Sequence, residues 1–280
     1  MESADFGGSG PTLHFAHANG YTPGAYAPLI ATLTPRYRVI SSPLRPLWPE
    51  NSRKPSEIND WSPLADDLIA FLDERGEKNI IGAGHSIGGV ITLLAALRRP
   101  ELFRAVAMID PVLFPYSFLF AWLIIDGLNL VQYAHPLIPA TLRRQCVFES
   151  AAEVYESYRR KPVFARMSDE NLHACAEALV RPRPDGKVEL IYPTDWEARI
   201  YSIGPRVDWL VWRELRKLRA PLLVVRGSER EAGWPDATEG IRKRLPHAEI
   251  RFVEGGGHLA PLEKPKEVGG VIQSFLERAA

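Results

Sequence analysis

The sequence predicts an α/β protein with a mostly parallel sheet of about six strands and helices on both of its faces. Three observations support this: short β-rich runs recur, helix-like stretches separate most of them, and the alternation is interrupted only once, between Asp110 and Pro221. Alternating strands and helices favour a parallel sheet covered on both faces. Ligands bind such sheets beyond the carboxyl ends of the strands, so the functional site is expected in the loops that follow them.

The individual elements follow from apolar runs and helical spacing. Pro23 suits the start of the first helix, and apolar residues at positions 64, 68, 69, 71 and 72 have the spacing of a helix face. The predicted strands are residues 12–18, 37–42, 79–84, 104–110, 222–227 and 249–254. The predicted helices are residues 25–33, 63–74, 89–97, 236–245 and 267–278.

The interruption predicts a helical cap inserted between two strands of one core. We expect residues 1–112 and 220–280 to form the core and residues 113–219 to form the cap. Residues 113–131 contain one charge, Asp126, and approach the length of a membrane span. Pro115, Gly127 and Asn129 interrupt them, and no Lys or Arg flanks them closely, so a transmembrane span is not expected. The cap is also a candidate for contact with a lipid surface and for a homodimer interface.

Bulk composition excludes several classes of protein. The chain has 34 basic and 34 acidic residues, so nothing indicates a nucleic-acid partner. Its two cysteines, Cys146 and Cys175, are isolated, and we expect buried free thiols rather than a disulfide framework or a zinc site. The first residues lack the basic and apolar regions of a secretory signal, so a cytoplasmic protein is the default expectation.

A G-x-S-x-G sequence at residues 84–88 is the most informative motif. It lies between the predicted strand 79–84 and the predicted helix 89–97. In that setting it indicates a nucleophile elbow, a tight strand-to-helix turn that holds Ser86 with its hydroxyl exposed. Gly84 and Gly88 are needed because a Cβ at either position would collide with the neighbouring strand or helix. His85 within the motif is a candidate substrate contact.

A nucleophilic serine needs a base, an acid that orients the base, and donors for an oxyanion. His258 follows three glycines directly after the last predicted strand and is the candidate base, whereas His247 precedes that strand and would lie at the wrong end of the sheet. In the chain order Ser, acid, His, the acid should follow strand 222–227. Glu231 is preferred there, and Glu229 in the same loop is an alternative. Asp110, at the end of the neighbouring predicted strand 104–110, is another alternative.

The oxyanion donors are expected to be two backbone amides. Ile87 opens the helix after the elbow, so its N–H points at the site. Asn19, in the loop after the first strand, is the candidate for the second donor. His17, in the same loop, is expected to be a turn residue whose ring bonds to the backbone.

Together these residues resemble the α/β-hydrolase superfamily, and the resemblance covers the chain apart from the cap. GHSIGG matches the elbow, HFAHANG occupies the place of the oxyanion loop, GGGHLAPLEKP resembles the histidine loop, and PLLVVRGSERE resembles the acid loop. The acid loop carries Arg230 where many members have aspartate, and the preference for Glu231 rests partly on members that place the acid one residue later. The family's usual first two strands are not evident in the sequence, which implies a trimmed sheet.

The resemblance implies a serine hydrolase acting on a small carboxylic ester with an apolar part, without cofactor or metal. Phe114, Phe118 and Trp122 of the cap, with Trp48, are candidates to line the apolar pocket. Alternatives with the same triad are a thioester, a lactone, a carbon–carbon hydrolase substrate or a hydroxynitrile; a non-catalytic ligand-binding protein is a further alternative. Epoxide hydrolases and dehalogenases of this fold use an aspartate nucleophile, which Ser86 argues against.

Overall fold

The computed structural model describes residues 4–48, 54–229 and 235–279. Within them the chain forms two β-sheets and a set of helices. The strands are β1 (Ala4–Asp5), β2 (Thr12–Ala16), β3 (Arg38–Ser41), β4 (Ile80–His85), β5 (Phe103–Ile109), β6 (Val147–Phe148), β7 (Val180–Pro182), β8 (Val188–Leu190), β9 (Leu222–Gly227) and β10 (Glu249–Val253). The helices are α1 (Ala27–Leu33), α2 (Ser62–Glu74), α3 (Ile87–Arg98), α4 (Tyr116–Gly127), α5 (Val131–Ala134), α6 (Leu137–Leu142), α7 (Ala151–Arg159), α8 (Asp169–Ala178), α9 (Thr194–Glu214), α10 (Thr238–Arg244), α11 (Ala260–Glu263) and α12 (Pro265–Arg278).

The main sheet has seven strands in the order β1-β3-β2-β4-β5-β9-β10. Its six longer strands are parallel and correspond to the six predicted runs, so the α/β-hydrolase fold expected from the sequence is confirmed. The seventh, β1, is a two-residue strand that pairs antiparallel with β3 at the edge. The prediction of six strands missed it because two residues carry no periodicity that could reveal a strand.

Alternating residues of the strands supply two apolar clusters, one on each face of the sheet. Val224 belongs to the cluster that packs against α2, α3 and α10, whereas Leu223 and Val225 belong to the cluster under α1 and α12. This follows from the two-residue period of a strand, which sends successive side chains to opposite faces. The five predicted helices of the core are confirmed as α1, α2, α3, α10 and α12.

The register of the central strands brings the chemistry-bearing residues to one edge. His85 at the end of β4 pairs with Ile109 at the end of β5, and Ile109 pairs with Val225 of β9. Gly227 of β9 pairs in turn with Val253 of β10. The residues that follow β4, β5, β9 and β10 therefore emerge side by side at the carboxyl ends of the strands.

The segment between β5 and β9 contains α4 to α9 and a small antiparallel sheet of order β6-β8-β7. The outer side of α4 exposes apolar side chains, with Phe120 61% and Ile124 66% exposed, and Leu128, which directly follows the helix, is 63% exposed. Within the described residues, no helix combines the length and the apolar character needed to cross a bilayer. Lipid contact, a homodimer and the domain division at residues 113 and 219 stay predictions. Cys146 and Cys175 are free, the first half-buried and the second buried.

Candidate active site

Ser86 is held in a strained turn between β4 and α3. Its backbone has φ 55° and ψ −120°, in a region that residues with a side chain rarely adopt. Its amide donates a hydrogen bond to the carbonyl oxygen of Ile109, 2.9 Å away on the neighbouring strand. The turn presents the Ser86 side chain at the carboxyl edge of the sheet, where it lines a cavity.

The two glycines of the motif are required by close backbone contacts. A Cβ added to Gly84 would lie 2.4 Å from the backbone carbonyl of Gly88. A Cβ on Gly88 would lie 2.2 Å from the carbonyl oxygen of Ala16 in β2. Neither neighbour is a flexible side chain, so any larger residue would displace the backbone that positions Ser86. This is the packing that the sequence motif predicts.

His258 forms a buried pair with Asp110. The Nδ1 of His258 lies 2.5 Å from Oδ2 of Asp110, and the two residues are 6% and 5% exposed. A carboxylate only accepts hydrogen bonds, so Nδ1 carries the proton and Nε2 is left as the basic nitrogen. Asp110 directly follows β5 and has φ 42°, a left-handed conformation that aspartate tolerates better than most residues.

Asp110, one of the two alternatives for the acid, is therefore the described carboxylate that lies beside His258. Glu231 lies outside the described residues, and Glu229 is an exposed residue whose amide donates to the carbonyl oxygen of Gly256. Asp110 reaches the site because it directly follows β5, which lies beside β4, the strand that leads into Ser86. Its position before Pro111 also fits an ordinary turn, so the sequence did not favour it over Glu231.

Arg226 was missed in the sequence although it supports this pair. Its Nε lies 2.8 Å from Oδ1 of Asp110, and both side chains are nearly buried. The two carboxylate oxygens therefore face two different donors, His258 and Arg226. The available signal was an arginine inside the apolar strand 222–227, because a buried guanidinium needs a carboxylate partner.

Asn19 and Ile87, the candidate oxyanion donors, line a cavity together with Ser86. Within the described residues, neither amide donates to another protein group. Ile87 is the first residue of the 12-residue helix α3, whose N-terminus favours negative charge. The Asn19 side chain donates to the carbonyl oxygen of Glu197 at 3.0 Å, which fixes the loop on α9.

A buried hydrogen-bond chain connects the loops that carry these groups. The amide of Ala18 donates to the Tyr26 hydroxyl at 3.2 Å, and that hydroxyl lies 2.7 Å from Nδ1 of His85. Nε2 of His85 lies 2.8 Å from the carbonyl oxygen of His258. Because that oxygen can only accept, Nε2 carries the proton and Tyr26 donates to Nδ1.

His85, the candidate substrate contact, is part of this chain. His85 lines the cavity, but it is completely buried and both of its ring nitrogens are hydrogen bonded. Burial, and secondarily the neighbouring His258, lowers the pKa of His85 well below its usual value. A neutral His85 therefore connects the loop of Ala18 to the loop of His258.

His17 is a structural residue, as the sequence predicts. Its Nδ1 lies 2.9 Å from the carbonyl oxygen of Ala18, and its Nε2 accepts from the Leu44 amide at 3.0 Å. Burial lowers the pKa of His17 to about 4, although its bond to Ala18 opposes the shift. The ring is neutral at pH 7 and holds two loops together.

Ser86 faces a cavity with two lobes. The lobe that we call the apolar lobe has a volume of about 370 Å³. It is lined by aromatic and aliphatic side chains, including Trp61, Val112, Phe114, Phe118, Trp122 and Ile125. Phe114, Phe118 and Trp122 thus line this lobe, as does Trp61, which the sequence places in the same loop as Trp48. Trp48, the fourth predicted aromatic residue, does not line the cavity. Its indole N–H donates to the Pro43 carbonyl oxygen at 3.0 Å, and its ring packs near Arg45.

The lobe that we call the charged lobe has a volume of about 450 Å³. It shares Asn19 and Ser86 with the apolar lobe and is also lined by His258. Its charged side chains are Arg144, Lys161 and Glu197, none of which the sequence singled out. They come from three separate parts of the segment between β5 and β9, so no local pattern connects them.

The fold and the site together define an α/β hydrolase. The profile of the alpha/beta hydrolase family matches residues 15–270, so the chain belongs to that family.

Curated relatives of the chain are named as hydrolases of several kinds. The uncharacterized hydrolase YugF of Bacillus subtilis (strain 168) is 24% identical over 253 residues, which cover 90% of this chain and 85% of YugF. The sn-1-specific diacylglycerol lipase ABHD11 of Mus musculus is 23% identical over 217 residues, covering 76% of this chain and 64% of the lipase. Bifunctional epoxide hydrolase 2 of Mus musculus is 25% identical over 299 residues, covering 96% of this chain and 52% of that protein.

Solved structures share the fold. E-2-(acetamidomethylene)succinate hydrolase has a TM-score of 0.77 and 22% identity, with 98% of this chain and 94% of that chain covered. The M. tuberculosis esterase Rv0045c has a TM-score of 0.71 and 18% identity, with 98% and 88% covered. At these identities the likeness concerns the fold alone, and the reaction has to be argued from the site.

Proposed function

We propose that the protein is a serine hydrolase that cleaves a carboxylic ester with an apolar acyl or alkyl part through an acyl-enzyme on Ser86. One observation carries this proposal: the strained Ser86 lines both lobes of the cavity. His258 lines one of these lobes, and its Nδ1 is hydrogen bonded to Asp110. A nucleophile, an oriented base and an apolar pocket are the parts that acyl transfer to serine needs.

The proposed reaction has two halves. His258 Nε2 removes the Ser86 hydroxyl proton as Oγ attacks the ester carbonyl, and the imidazolium that forms is stabilised by Asp110. The tetrahedral intermediate collapses when His258 gives that proton to the leaving alcohol. A water molecule, deprotonated by His258, then attacks the acyl-serine, and the acid leaves as Ser86 regains its proton.

The oxyanion of each intermediate would be stabilised by the amides of Asn19 and Ile87. Neither amide is engaged by another described protein group, and Ile87 adds the positive end of a helix. Loss of one such donor typically costs about 10²–10³ in rate.

An aspartate-based mechanism is disfavoured although one relative is named an epoxide hydrolase. The elbow residue is Ser86, and the buried aspartate of the site, Asp110, is bonded to His258 and Arg226 rather than free to attack. Lactones, thioesters and carbon–carbon substrates would use the same groups, but no observed contact favours any of them over an ester.

The first experiment is covalent labelling with a fluorophosphonate probe. We expect labelling of Ser86 in the native protein and none in Ser86→Ala. We also expect hydrolysis of p-nitrophenyl esters, with Ser86→Ala losing at least about 10⁴-fold in kcat. Native protein that reacts with neither the probe nor any ester would leave a ligand-binding role as the better account. Labelling without any ester hydrolysis would favour another substrate of the same triad.

A further inference from the structure

The charged lobe is lined by two cationic side chains, Arg144 and Lys161, and by one anionic side chain, Glu197. Arg144 binds Glu197 through two hydrogen bonds, Nη2 to Oε2 at 2.6 Å and Nη1 to Oε1 at 3.2 Å. Glu197 is only 4% exposed, and its Oε1 also lies 3.4 Å from the hydroxyls of Thr141 and Tyr201. The negative charge of the lobe is therefore already occupied by Arg144.

Lys161 supplies the positive charge in excess. Its Nζ lies 4.3 Å from the centroid of the Tyr158 ring, at the wall of the lobe. In the part of the chain that the structure describes, no carboxylate is within ion-pair distance of this ammonium. The contact with an aromatic face stabilises a cation but does not neutralise it.

The other titratable groups that face the lobe do not cancel this charge. Burial raises the pKa of Tyr21, Tyr158 and Tyr201, that of Tyr158 to about 12, so the three phenols are neutral at pH 7. His85 is neutral as well, because burial lowers its pKa. Asp110, the acid of the catalytic pair, is matched by Arg226.

The environment of Lys161 favours an anionic ligand. Burial, with the Arg144 charge acting in the same direction and Glu197 opposing it, lowers the pKa of Lys161. The charged form has thus lost hydration that an anion beside it would replace. In addition, the Nε of Arg144 is buried without a hydrogen-bond partner among the described residues.

We propose that the charged lobe binds a carboxylate carried by the substrate, so that the natural ester bears an anionic group on one side of the scissile bond and its apolar part on the other. Lys161 makes the ion pair, and Arg144, held by Glu197, lies on the same wall. A single excess charge matches a monoanion better than a dianionic phosphate. The inference rests on the proposed function because it concerns the ester that Ser86 would cleave.

Matched substrates test the proposal without any substitution. The p-nitrophenyl monoesters of linear dicarboxylic acids with six, eight and ten carbons are compared with esters whose far carboxylate is replaced by a carboxamide. At the chain length that fits the lobe, we expect kcat/KM to be about 10–100-fold higher for the carboxylate, the range of a partly buried charge-assisted hydrogen bond. A ratio near one at every length would overturn the proposal.

Two variants assign the effect to one side chain. Lys161→Gln should reduce the carboxylate-to-carboxamide ratio at least about tenfold, mainly through KM. Lys266→Gln removes the same charge from an exposed site on α12 and should leave the ratio as it is in the native protein. A ratio that falls equally in both variants, or in neither, contradicts the role of Lys161. Arg144 is unsuitable as a test because its removal would leave Glu197 buried and unpaired.

A binding measurement separates failure of this inference from failure of the proposed function. Calorimetry with Ser86→Ala compares the methyl monoesters of the same dicarboxylic acids with their carboxamide counterparts. Tighter binding of the carboxylate by about tenfold or more supports the charged lobe even if no ester is hydrolysed. Equal binding overturns the inference even if neutral esters are good substrates.

Discussion

Substitution of Asp110 by Asn is the sharpest test of the catalytic geometry. Asn fits the left-handed backbone at this position and nearly matches the shape of aspartate, so the change alters hydrogen bonding rather than packing. The two oxygens of Asp110 accept from His258 Nδ1 and Arg226 Nε at 2.5 Å and 2.8 Å. An amide has only one oxygen, so it can satisfy only one of these donors.

The oxygen of the amide should turn to Arg226, since hydrogen bonds to a buried charged donor are the stronger ones. The NH₂ group then faces Nδ1 of His258, which must become an acceptor, and the proton moves to Nε2. A histidine protonated at Nε2 cannot take the proton of Ser86. The wrong tautomer of a catalytic histidine costs about 10⁴ in kcat, or about 5.5 kcal/mol of transition-state stabilisation.

The assay is kcat for a p-nitrophenyl ester, normalised to the fraction of folded protein from urea unfolding. Glu229→Gln is the matched control, because this carboxylate is exposed, and it should change kcat less than about twofold. The double variant Asp110→Asn with Arg226→Met removes the competing donor, so the amide can turn its oxygen to His258. It should recover at least about tenfold of the lost kcat. Near-native kcat in Asp110→Asn, with a large loss in Glu231→Gln, would show that the acid comes from the loop after β9.

Three further predictions concern the packing and the buried rings. Gly88→Ala should cost about 3 kcal/mol of unfolding free energy, because its Cβ would lie 2.2 Å from a carbonyl oxygen of β2; Gly270→Ala, whose Cβ meets nothing within 4 Å, should be neutral or stabilising by up to about 1 kcal/mol in the same urea titration. Tyr26→Phe leaves the Ala18 amide and Nδ1 of His85 unpaired, and each should lower the free energy of unfolding by about 1–3 kcal/mol. An unchanged urea midpoint would refute the hydrogen-bond chain. Because the pKa of His17 is about 4 in the folded state, only the unfolded state binds a proton at His17 between pH 6.5 and about 4. The free energy of unfolding should therefore fall by up to about 3 kcal/mol as the pH is lowered through this range. His17→Gln should show a shallower dependence of stability on pH.

Much of the fold and part of the candidate site could be predicted from the sequence. The elbow is evident because Gly84 and Gly88 are demanded by contacts within one strand–turn–helix unit, and such a requirement is visible over five residues. The loop of His258 is similarly local, since glycines directly follow a strand. The six parallel strands were evident because each is an apolar run of the right length.

The carboxylate partner of His258 could not be identified from local sequence. Asp110 and His258 are 148 residues apart, and they meet only because the order and register of β4, β5, β9 and β10 bring the ends of these strands together. Glu231 fits the chain order Ser, acid, His equally well. No sequence pattern near Asp110 distinguishes an aspartate that orients a histidine from one that forms a turn before proline.

The sequence by itself determined the class of fold, the nucleophile motif and the candidate base, because each depends on short-range sterics or periodicity. Only the tertiary structure decided which described carboxylate faces His258 and that His85 is part of a buried hydrogen-bond chain. It also decided that Lys161 lines the cavity of Ser86 with no carboxylate of the described residues within ion-pair distance. These properties depend on contacts between residues that are far apart in the chain. Charge pairing in a cavity is set by three-dimensional proximity, which spacing along the chain does not encode.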